Sequence, residues 1–342
     1  MAKSTRTSYI EHMVNHNSNI DESEALYNYY NQEDNIRIDL FSENAYKCCK
    51  PESDSIIDNL IELEIRAFQN KKEYGGITNT LNKFQFENII KHLNYIYIQN
   101  GTLSEPVKAE HSLDINIHNN NYVNHSDEFS KLRFTIAGKS SILDFCKSNK
   151  IPDKCPLIYK DKLQWSNDID KSMITTHNLS SDKATVDLPS TKLRLDGKLE
   201  IPFNYSKGRF DFKNIVNNSK ILEHMDKSNE IYRQYTIKKN SVYKSFRLKE
   251  RYSFYIDDHI RIDLTKVKSS KKDIDFNYFY NVIPVKKFID SDIGSQNETY
   301  EFEIEIINID NITSSNNVSS IIKKAINIVK SMYSVIEERV GY

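Results

Sequence analysis

Two short segments of this chain carry glutamates at every second position. Near the start these are Glu62 and Glu64, and near the end they are Glu301, Glu303 and Glu305. Successive side chains of a β-strand point to opposite faces, so the glutamates of each segment would share one face. Neighbours on one face lie about 6.5–7 Å apart and repel when both are charged. Because clustered carboxylates are ligands for hard cations, the two segments predict a site for Mg²⁺ or Mn²⁺.

Two further segments place charged or polar side chains at alternate positions, on one face of a strand. The first holds Arg247, Lys249 and Arg251 at alternate positions, and such side chains bind phosphate oxygens. The second holds three polar residues on one face: Arg261, Asp263 and Thr265. An antiparallel sheet with one solvated face is the ordinary cause of such alternation, but solvated faces usually mix both charges. A closed antiparallel barrel would instead bring acidic and basic faces together inside, with the apolar faces outward under helices and loops.

The composition limits the class of protein. Hydrophobic residues make up 38% of the 342 residues, which is enough for a core, and the formal net charge is −1 at pH 7. This balance argues against a purely electrostatic nucleic-acid binder, which carries an excess of Lys and Arg. The N-terminal residues lack an apolar signal core and no long apolar run follows, so we expect an intracellular, cytoplasmic protein. The cysteines have neither disulfide nor zinc spacing, and reduced thiols are expected: Cys48, Cys49, Cys146 and Cys155.

The sequence predicts an N-terminal extension, residues 1–54, followed by one domain, residues 55–342. The extension is rich in Ser, Asn, Glu and Tyr, and we expect it to be partly disordered or docked on the domain. Alternating patterns in the domain predict clear strands at Ile61–Phe68, Leu132–Ile136, Lys192–Ile201, Phe246–Phe254, His259–Val267 and Tyr300–Ile307. Apolar stripes with helical spacing predict helices at Lys83–Tyr97 and Ser319–Glu338.

Three short motifs resemble known sites and are rejected on their residues. The segment 138–140 ends like a phosphate-binding loop, but the first glycine of that motif would fall at Arg133. Arg194 stands where a guanylyltransferase would need its nucleophilic lysine, so no nucleotidyl-transfer site is expected. The two histidines of residues 12–16 lack the glutamate of a zinc protease.

Taken in chain order, the four charged segments resemble those of the triphosphate tunnel metalloenzymes. The resemblance rests on Glu62-Leu-Glu64, Arg247-Leu-Lys-Glu-Arg251, Arg261-Ile-Asp-Leu-Thr265 and Glu301-Phe-Glu-Ile-Glu305, and it covers residues 56–338. Within that family the pattern resembles the RNA 5′-triphosphatases of mRNA-capping enzymes from fungi, protozoa and, above all, large DNA viruses. It implies an α+β fold, an eight-stranded antiparallel β-barrel with flanking helices. It also implies hydrolysis of the γ-phosphate of 5′-triphosphate RNA with Mg²⁺ or Mn²⁺ as cofactor.

The resemblance further implies a role for individual residues. The metal ligands would be Glu62, Glu64, Glu303 and Glu305, with Glu301 in support. The catalytic residues would be Glu200, Lys249, Arg251 and Arg133, with Glu200 orienting or activating the attacking water. Substrate would be bound by Arg247, Arg66, Asp263, Thr265 and Lys198. A further basic residue is expected from residues 160–178, with Lys160, Lys162 and Lys171 as the candidates.

The partners implied by the resemblance are 5′-triphosphate RNA and a guanylyltransferase or methyltransferase of the capping apparatus, as a linked domain or a separate protein. No membrane partner is expected, and a viral member would work in the cytoplasm, in a viral factory or in the virion. Two alternatives stay open. One is a tunnel enzyme that acts on inorganic triphosphate, thiamine triphosphate or ATP. The other is a barrel that binds phosphorylated ligands without catalysis, which would not need glutamates on two strands.

Overall fold

The computed structural model describes residues 35–47, 61–71, 77–79, 81–119, 128–163, 167–169, 192–203, 219–274, 280–308 and 312–337. Its strands are β1 (Ile61–Lys71), β2 (Ile77–Asn79), β3 (Glu110–His118), β4 (Leu132–Ala137), β5 (Leu157–Lys162), β6 (Asn167–Ile169), β7 (Lys192–Pro202), β8 (Tyr243–Tyr255), β9 (Ile260–Ser269), β10 (Lys272–Ile274), β11 (Tyr280–Val282) and β12 (Thr299–Ile306). Its α-helices are α1 (residues 35–47), α2 (Lys83–Gln99), α3 (Lys139–Ser148), α4 (Ser219–Lys238) and α5 (Ser315–Glu337).

Eight of the strands close into an antiparallel barrel. Around the barrel they follow the order β1, β12, β9, β8, β3, β4, β5 and β7, and β7 pairs with β1 to complete the ring. The short strands β2 and β6 extend the sheet beside β1 and β7, and β10 and β11 form a separate hairpin. The predicted α+β class, with an eight-stranded antiparallel barrel and flanking helices, is confirmed.

The hydrophobic core lies outside the barrel, between the sheet and the helices. Leu63, Ile65 and Ile304 are buried on the outward faces of β1 and β12, while the glutamates between them face the interior. On the outer side Phe68 packs against Tyr333 of α5 with ring centroids 4.8 Å apart. Burying a large apolar side chain stabilises a fold by about 1.5–3 kcal/mol, so these faces hold the helices on the barrel. The expected outward direction of the apolar faces is confirmed.

The two predicted helices follow from local sequence. Helix α2 begins at a capping box, in which the Asn82 side chain accepts from the Gln85 amide at 2.9 Å and the Gln85 side chain accepts from the Asn82 amide at 3.0 Å. Its buried residues recur at helical spacing: Phe86, Ile89, Leu93 and Tyr97. Helix α5 buries a similar stripe: Val318, Ile322, Ala325, Val329, Met332 and Ile336. Both helices are confirmed, and each is somewhat longer than predicted.

The six predicted strands all form, but the sequence patterns do not predict β3, β5, α1, α3 or α4. In β5, polar residues fill three of the last four positions, which hides the alternation. In α4, the buried residues within the described side chains are few, chiefly Met225, Ile231 and Tyr232, so its apolar stripe is narrow. None of the described helices combines the length and the apolar content needed to cross a bilayer.

Helix α1 belongs to the part of the chain predicted as an extension, and it packs on α5. Ile38, Phe41 and Ala45 are buried in the core. Asp39 accepts a hydrogen bond from the Ser319 hydroxyl at 2.8 Å. Residues 35–47 are therefore docked on the domain, while the predicted boundary at residues 54–55 lies outside the described residues.

Helix α4 is joined to the barrel at the seam between β5 and β7. The buried hydroxyl of Tyr232 accepts a hydrogen bond from the main-chain N–H of Tyr159 at 2.6 Å and donates one to the carbonyl of Ile201. Tyr159 and Ile201 are register partners, so one side chain joins the two strands at facing residues. The helix therefore supports the strands whose neighbouring residues are Lys160 and Glu200.

We expect Tyr232→Phe to lower the free energy of unfolding by about 1–3 kcal/mol, because a buried amide and a buried carbonyl lose their partner while the ring packing is kept. Chemical denaturation followed by circular dichroism measures the change. Tyr95→Phe, at an exposed tyrosine of α2, is the matched control. An unchanged free energy of unfolding in Tyr232→Phe would mean that the hydroxyl does not join the strands.

Candidate functional site in the barrel interior

The barrel encloses a cavity of about 1310 Å³, and side chains from all eight barrel strands line it. Its acidic lining includes Glu62, Glu64, Asp114, Glu200, Glu301, Glu303 and Glu305. Its basic lining includes Arg66, Arg133, Lys160, Lys198, Arg247, Lys249, Arg251 and Arg261. All the predicted site residues thus line one cavity except Asp263 and Thr265, which are buried beside it. The roles assigned to them stay predictions.

The predicted metal ligands lie on the adjacent strands β1 and β12. In the register Glu64 faces Glu305, and Arg66 faces Glu303. Arg66 bonds to Glu64 and its Nε lies 3.1 Å from Glu303 Oε1. Burial and the neighbouring Glu303 raise the pKa of Glu64, although Arg66 opposes the shift. Burial also raises the pKa of Glu305 to about 7, with Glu62 and Asp263 adding to it and Arg261 opposing it. Glu64 and Glu305 are therefore harder to ionise than an ordinary glutamate, chiefly because they are buried.

Two lysines, Lys160 and Lys198, form ion pairs with the glutamates of β1. Lys198 of β7 contacts Glu64, and its Nζ lies 3.9 Å from Glu62 Oε1. Lys160 of β5 bonds to both Glu62 and Glu200. Burial opposes the ionisation of Glu62, but Lys160 and Lys198 hold its pKa well below the ordinary value. Glu62 is therefore a carboxylate that stays charged while buried, with its partners on two other strands.

The basic wall is built from β8 and β4 around Asp114. Lys249 contacts Asp114, and Arg133 Nη1 lies 3.6 Å from the same carboxylate. Arg133 also reaches across to Glu200, with Nη2 at 3.1 Å from Oε1. Burial lowers the pKa of Lys249, and Arg247 and Arg133 act in the same direction. Asp114 opposes the shift, and together these effects place the pKa at about 8. The wall therefore concentrates positive charge on one side of the cavity.

Asp263 and Thr265 hold the arginines of this wall from the side. Asp263 Oδ2 forms an ion pair with Arg251 Nη1 at 3.2 Å and accepts a hydrogen bond from Arg261 Nη2 at 3.1 Å. Thr265 Oγ1 accepts from Arg251 Nε at 3.3 Å. The two residues thus orient guanidinium groups, and neither lines the cavity itself.

Among the three candidates for a further basic residue, the structure places Lys160 in the cavity. Lys162 is 44% exposed and bonds to Asp196 at 3.0 Å, outside the lining. Lys171 lies outside the described residues. Lys160 and Lys162 share a face of β5 because they lie two positions apart. They differ in register, since Lys160 pairs with Glu200, whereas Lys162 is the last residue of the strand and pairs with Lys198.

The sequence analysis did not identify Asp114, which organises the basic wall. It is 1% exposed and also accepts from Thr135 Oγ1 at 2.9 Å. A signal was present, because Leu113, Ile115 and Ile117 alternate with polar residues through β3. Only the pairing of β3 with β8 and β4 shows that this carboxylate meets Lys249.

The four predicted metal ligands fit a hard divalent cation in donor type. They are Glu62, Glu64, Glu303 and Glu305, all carboxylates on two paired strands. Within the described part of the chain, no three acidic, histidine or cysteine side chains converge as an arranged metal centre. Their oxygens bond instead to lysine and arginine. A cation bound here would therefore take its ligands from existing ion pairs.

Solved structures similar to this chain include the capping-enzyme triphosphatase of Mimivirus. One monoclinic structure of it has 18% identity and a TM-score of 0.44, over 91% of this chain and 98% of its own. A triclinic structure has 17% identity and a TM-score of 0.42, over 86% and 94%. The RNA triphosphatase domain of a trifunctional Mimivirus mRNA capping enzyme has 18% identity and a TM-score of 0.39, over 82% and 91%. No protein-family model and no curated protein sequence matches the chain.

We expect Lys249 to titrate near pH 8 and Asp114→Asn to lower its pKa further, because the carboxylate that favours the charged amine is removed. Heteronuclear NMR of labelled lysine side chains measures this titration. Lys249→Met assigns the resonance, since only that signal should disappear. Titration of Lys249 near its ordinary value of 10.5 would contradict the buried, charge-crowded environment.

Proposed function

We propose that this chain removes the γ-phosphate of 5′-triphosphate RNA in a divalent-metal-dependent hydrolysis, giving 5′-diphosphate RNA and phosphate at the start of mRNA cap formation. The observation that supports this most is the division of one cavity into an acidic wall on β1 and β12 and a basic wall on β8 and β4. A triphosphate end needs both, since its own negative charge must be bound and its leaving phosphates stabilised. The proposal depends on the residues of this chain.

The basic wall would bind the triphosphate. Lys249 and Arg251 lie two residues apart on the inward face of β8, and Arg133 approaches from β4. Arginine gives two parallel hydrogen bonds to a phosphate, whereas lysine acts as a point charge. In the absence of ligand, Asp114 and Asp263 keep these cations in place, so they are oriented before substrate arrives.

The acidic wall would hold the divalent ion, with Glu62, Glu64, Glu303 and Glu305 as its ligands. When bound, such an ion polarises the γ-phosphoryl group and neutralises charge that develops on it. The protein's own cations keep two of these carboxylates ionised, whereas burial raises the pKa of Glu64 and of Glu305. Glu62 and Glu303 have lowered pKa values because Lys160, Lys198 and Arg66 outweigh the effect of burial.

Glu200 is the residue proposed to orient the attacking water. Its carboxylate lies between Lys160 and Arg133 Nη2, which fix its position in the cavity. A carboxylate held in this way accepts a hydrogen bond from water and aligns it with the phosphorus for in-line attack. No covalent enzyme intermediate is needed. The capping partner, a guanylyltransferase or methyltransferase, would then act on the diphosphate end.

Phosphate release from γ-labelled 5′-triphosphate RNA, ATP and inorganic triphosphate, with Mg²⁺ and Mn²⁺, tests the proposal. We expect the highest kcat/KM on RNA. Lys249→Ala and Arg251→Ala should each lower turnover by about 10²–10³-fold, and Arg251→Lys should not restore it fully because it lacks the guanidinium fork. Preference for inorganic triphosphate would favour the small-molecule tunnel enzyme, and no release from any substrate would favour a phosphate-binding barrel.

Metal binding can be tested without turnover. Saturating Mn²⁺ should raise the melting temperature, since a ligand at 100 times its Kd adds about 2.7 kcal/mol to stability. The shift should shrink in Glu62→Gln and in Glu305→Gln, because each variant loses a carboxylate oxygen donor. Glu223→Gln, at an exposed position of α4, is the matched control. Equal shifts in all four proteins would remove the acidic wall from metal binding.

A further inference from the structure

The inward face of β8 ends in an exposed aromatic residue. Tyr255 is the last residue of the strand and is 57% exposed. Its pairing with β9 runs without a shift from Arg247↔Ser269 to Tyr255↔Arg261. Because alternate residues share a face, Tyr255 lies on the same side as Lys249 and the arginines of the basic wall. It does not line the cavity, and as the last residue of β8 it stands at the rim, four positions beyond Arg251.

The cavity opens at this same end of the barrel. Its exposed lining residues are Glu110, Ala137, Gly138, Lys139 and Asn308. Glu110 pairs with Arg251, and Arg261 pairs with Glu305 three residues before Asn308. The strand ends around the opening are therefore those nearest Tyr255. A chain attached to a bound triphosphate would leave the barrel past this residue.

The neighbouring arginine holds the ring of Tyr255 in place. The guanidinium carbon of Arg261 lies 6.0 Å from the ring centroid, within the range of a cation–π contact. Arg261 is itself fixed by Asp263 and Glu305. The rim therefore presents an aromatic ring whose position is set by the ion pairs of the site, and much of its surface remains accessible.

We infer that Tyr255 stacks on the base of the first nucleotide of the RNA, an inference that rests on the proposed function. Tyr255 lies four positions after Arg251, or about 13 Å along the strand. That span is comparable to the length of a triphosphate with its ribose. Stacking on an aromatic side chain accepts any base, because every base has a π-face. Tyr255 would thus favour nucleotide-bearing triphosphates over inorganic triphosphate without selecting a sequence.

The test compares substrates that do and do not carry a base. Tyr255→Ala should lower the ratio of kcat/KM on 5′-triphosphate RNA to kcat/KM on inorganic triphosphate by about ten-fold or more. Tyr255→Phe keeps the ring and should keep the ratio. Tyr95→Ala, at an exposed tyrosine on the outer helix α2, controls for general effects of removing a surface aromatic. An unchanged ratio in Tyr255→Ala would overturn the inference, because loss on both substrates alike would mean that the ring acts only through Arg261.

A binding measurement separates this inference from the proposed hydrolysis. Fluorescence anisotropy of a 3′-labelled 5′-triphosphate oligonucleotide gives its Kd, and competition by inorganic triphosphate gives the affinity of the phosphates alone. Tyr255→Ala should weaken the oligonucleotide relative to inorganic triphosphate even in a protein that releases no phosphate. That outcome would refute the hydrolysis and support the stacking. Equal weakening of both ligands, or of neither, would overturn the stacking whatever the turnover.

Discussion

Charge compensation inside a closed barrel is the constraint on which this structure depends. Buried carboxylates and ammonium groups are costly unless each meets an opposite charge with good geometry. In this barrel the inward-facing acidic side chains form ion pairs with lysine or arginine side chains, most of them from other strands. Arg66 lies between Glu64 and Glu303, and Lys160 lies between Glu62 and Glu200. Strand register is thereby specified from the inside as well as from the hydrophobic outside.

A charged interior also decides where the hydrophobic core must be. Since the inward positions are taken by ionic groups, apolar burial is available only on the outer faces of the strands. Leu63, Ile304 and Leu264 are fully buried there, under helices that a sheet packed around an apolar interior would not require. The long stripe of α5 and the capping box of α2 follow from this need. The same alternation of apolar and charged residues along the strands therefore determines both the outer core and the charged cavity.

Alternation of charged and apolar residues could be recognised in single segments, and it predicted six of the eight barrel strands and the direction of their faces. What the sequence could not give is which strands meet. Asp114 lies in a plainly alternating segment, yet its role depends on contact with Lys249 of β8, more than 130 positions along the chain. Lys160 could not be separated from Lys162 without the register of β5 against β7. Helix α4 has too few buried apolar residues for its periodicity to be recognised.

The residues that hold strand β5 in place are adjacent in sequence to the residue of β5 that faces the cavity. In β5, Lys160 faces inward to Glu62 and Glu200, while Tyr159 and Asp161 face outward. Asp161 accepts from Lys131, from Tyr159 and from His224 of α4, and these donors together lower its pKa against the effect of burial. These hydrogen bonds on the outer face restrict the twist of β5 and thereby fix the position of Lys160 on its inner face. The positions of the charged side chains inside the barrel therefore depend on polar contacts outside it. This accounts for the packing of α4 on the barrel, although α4 buries few apolar residues.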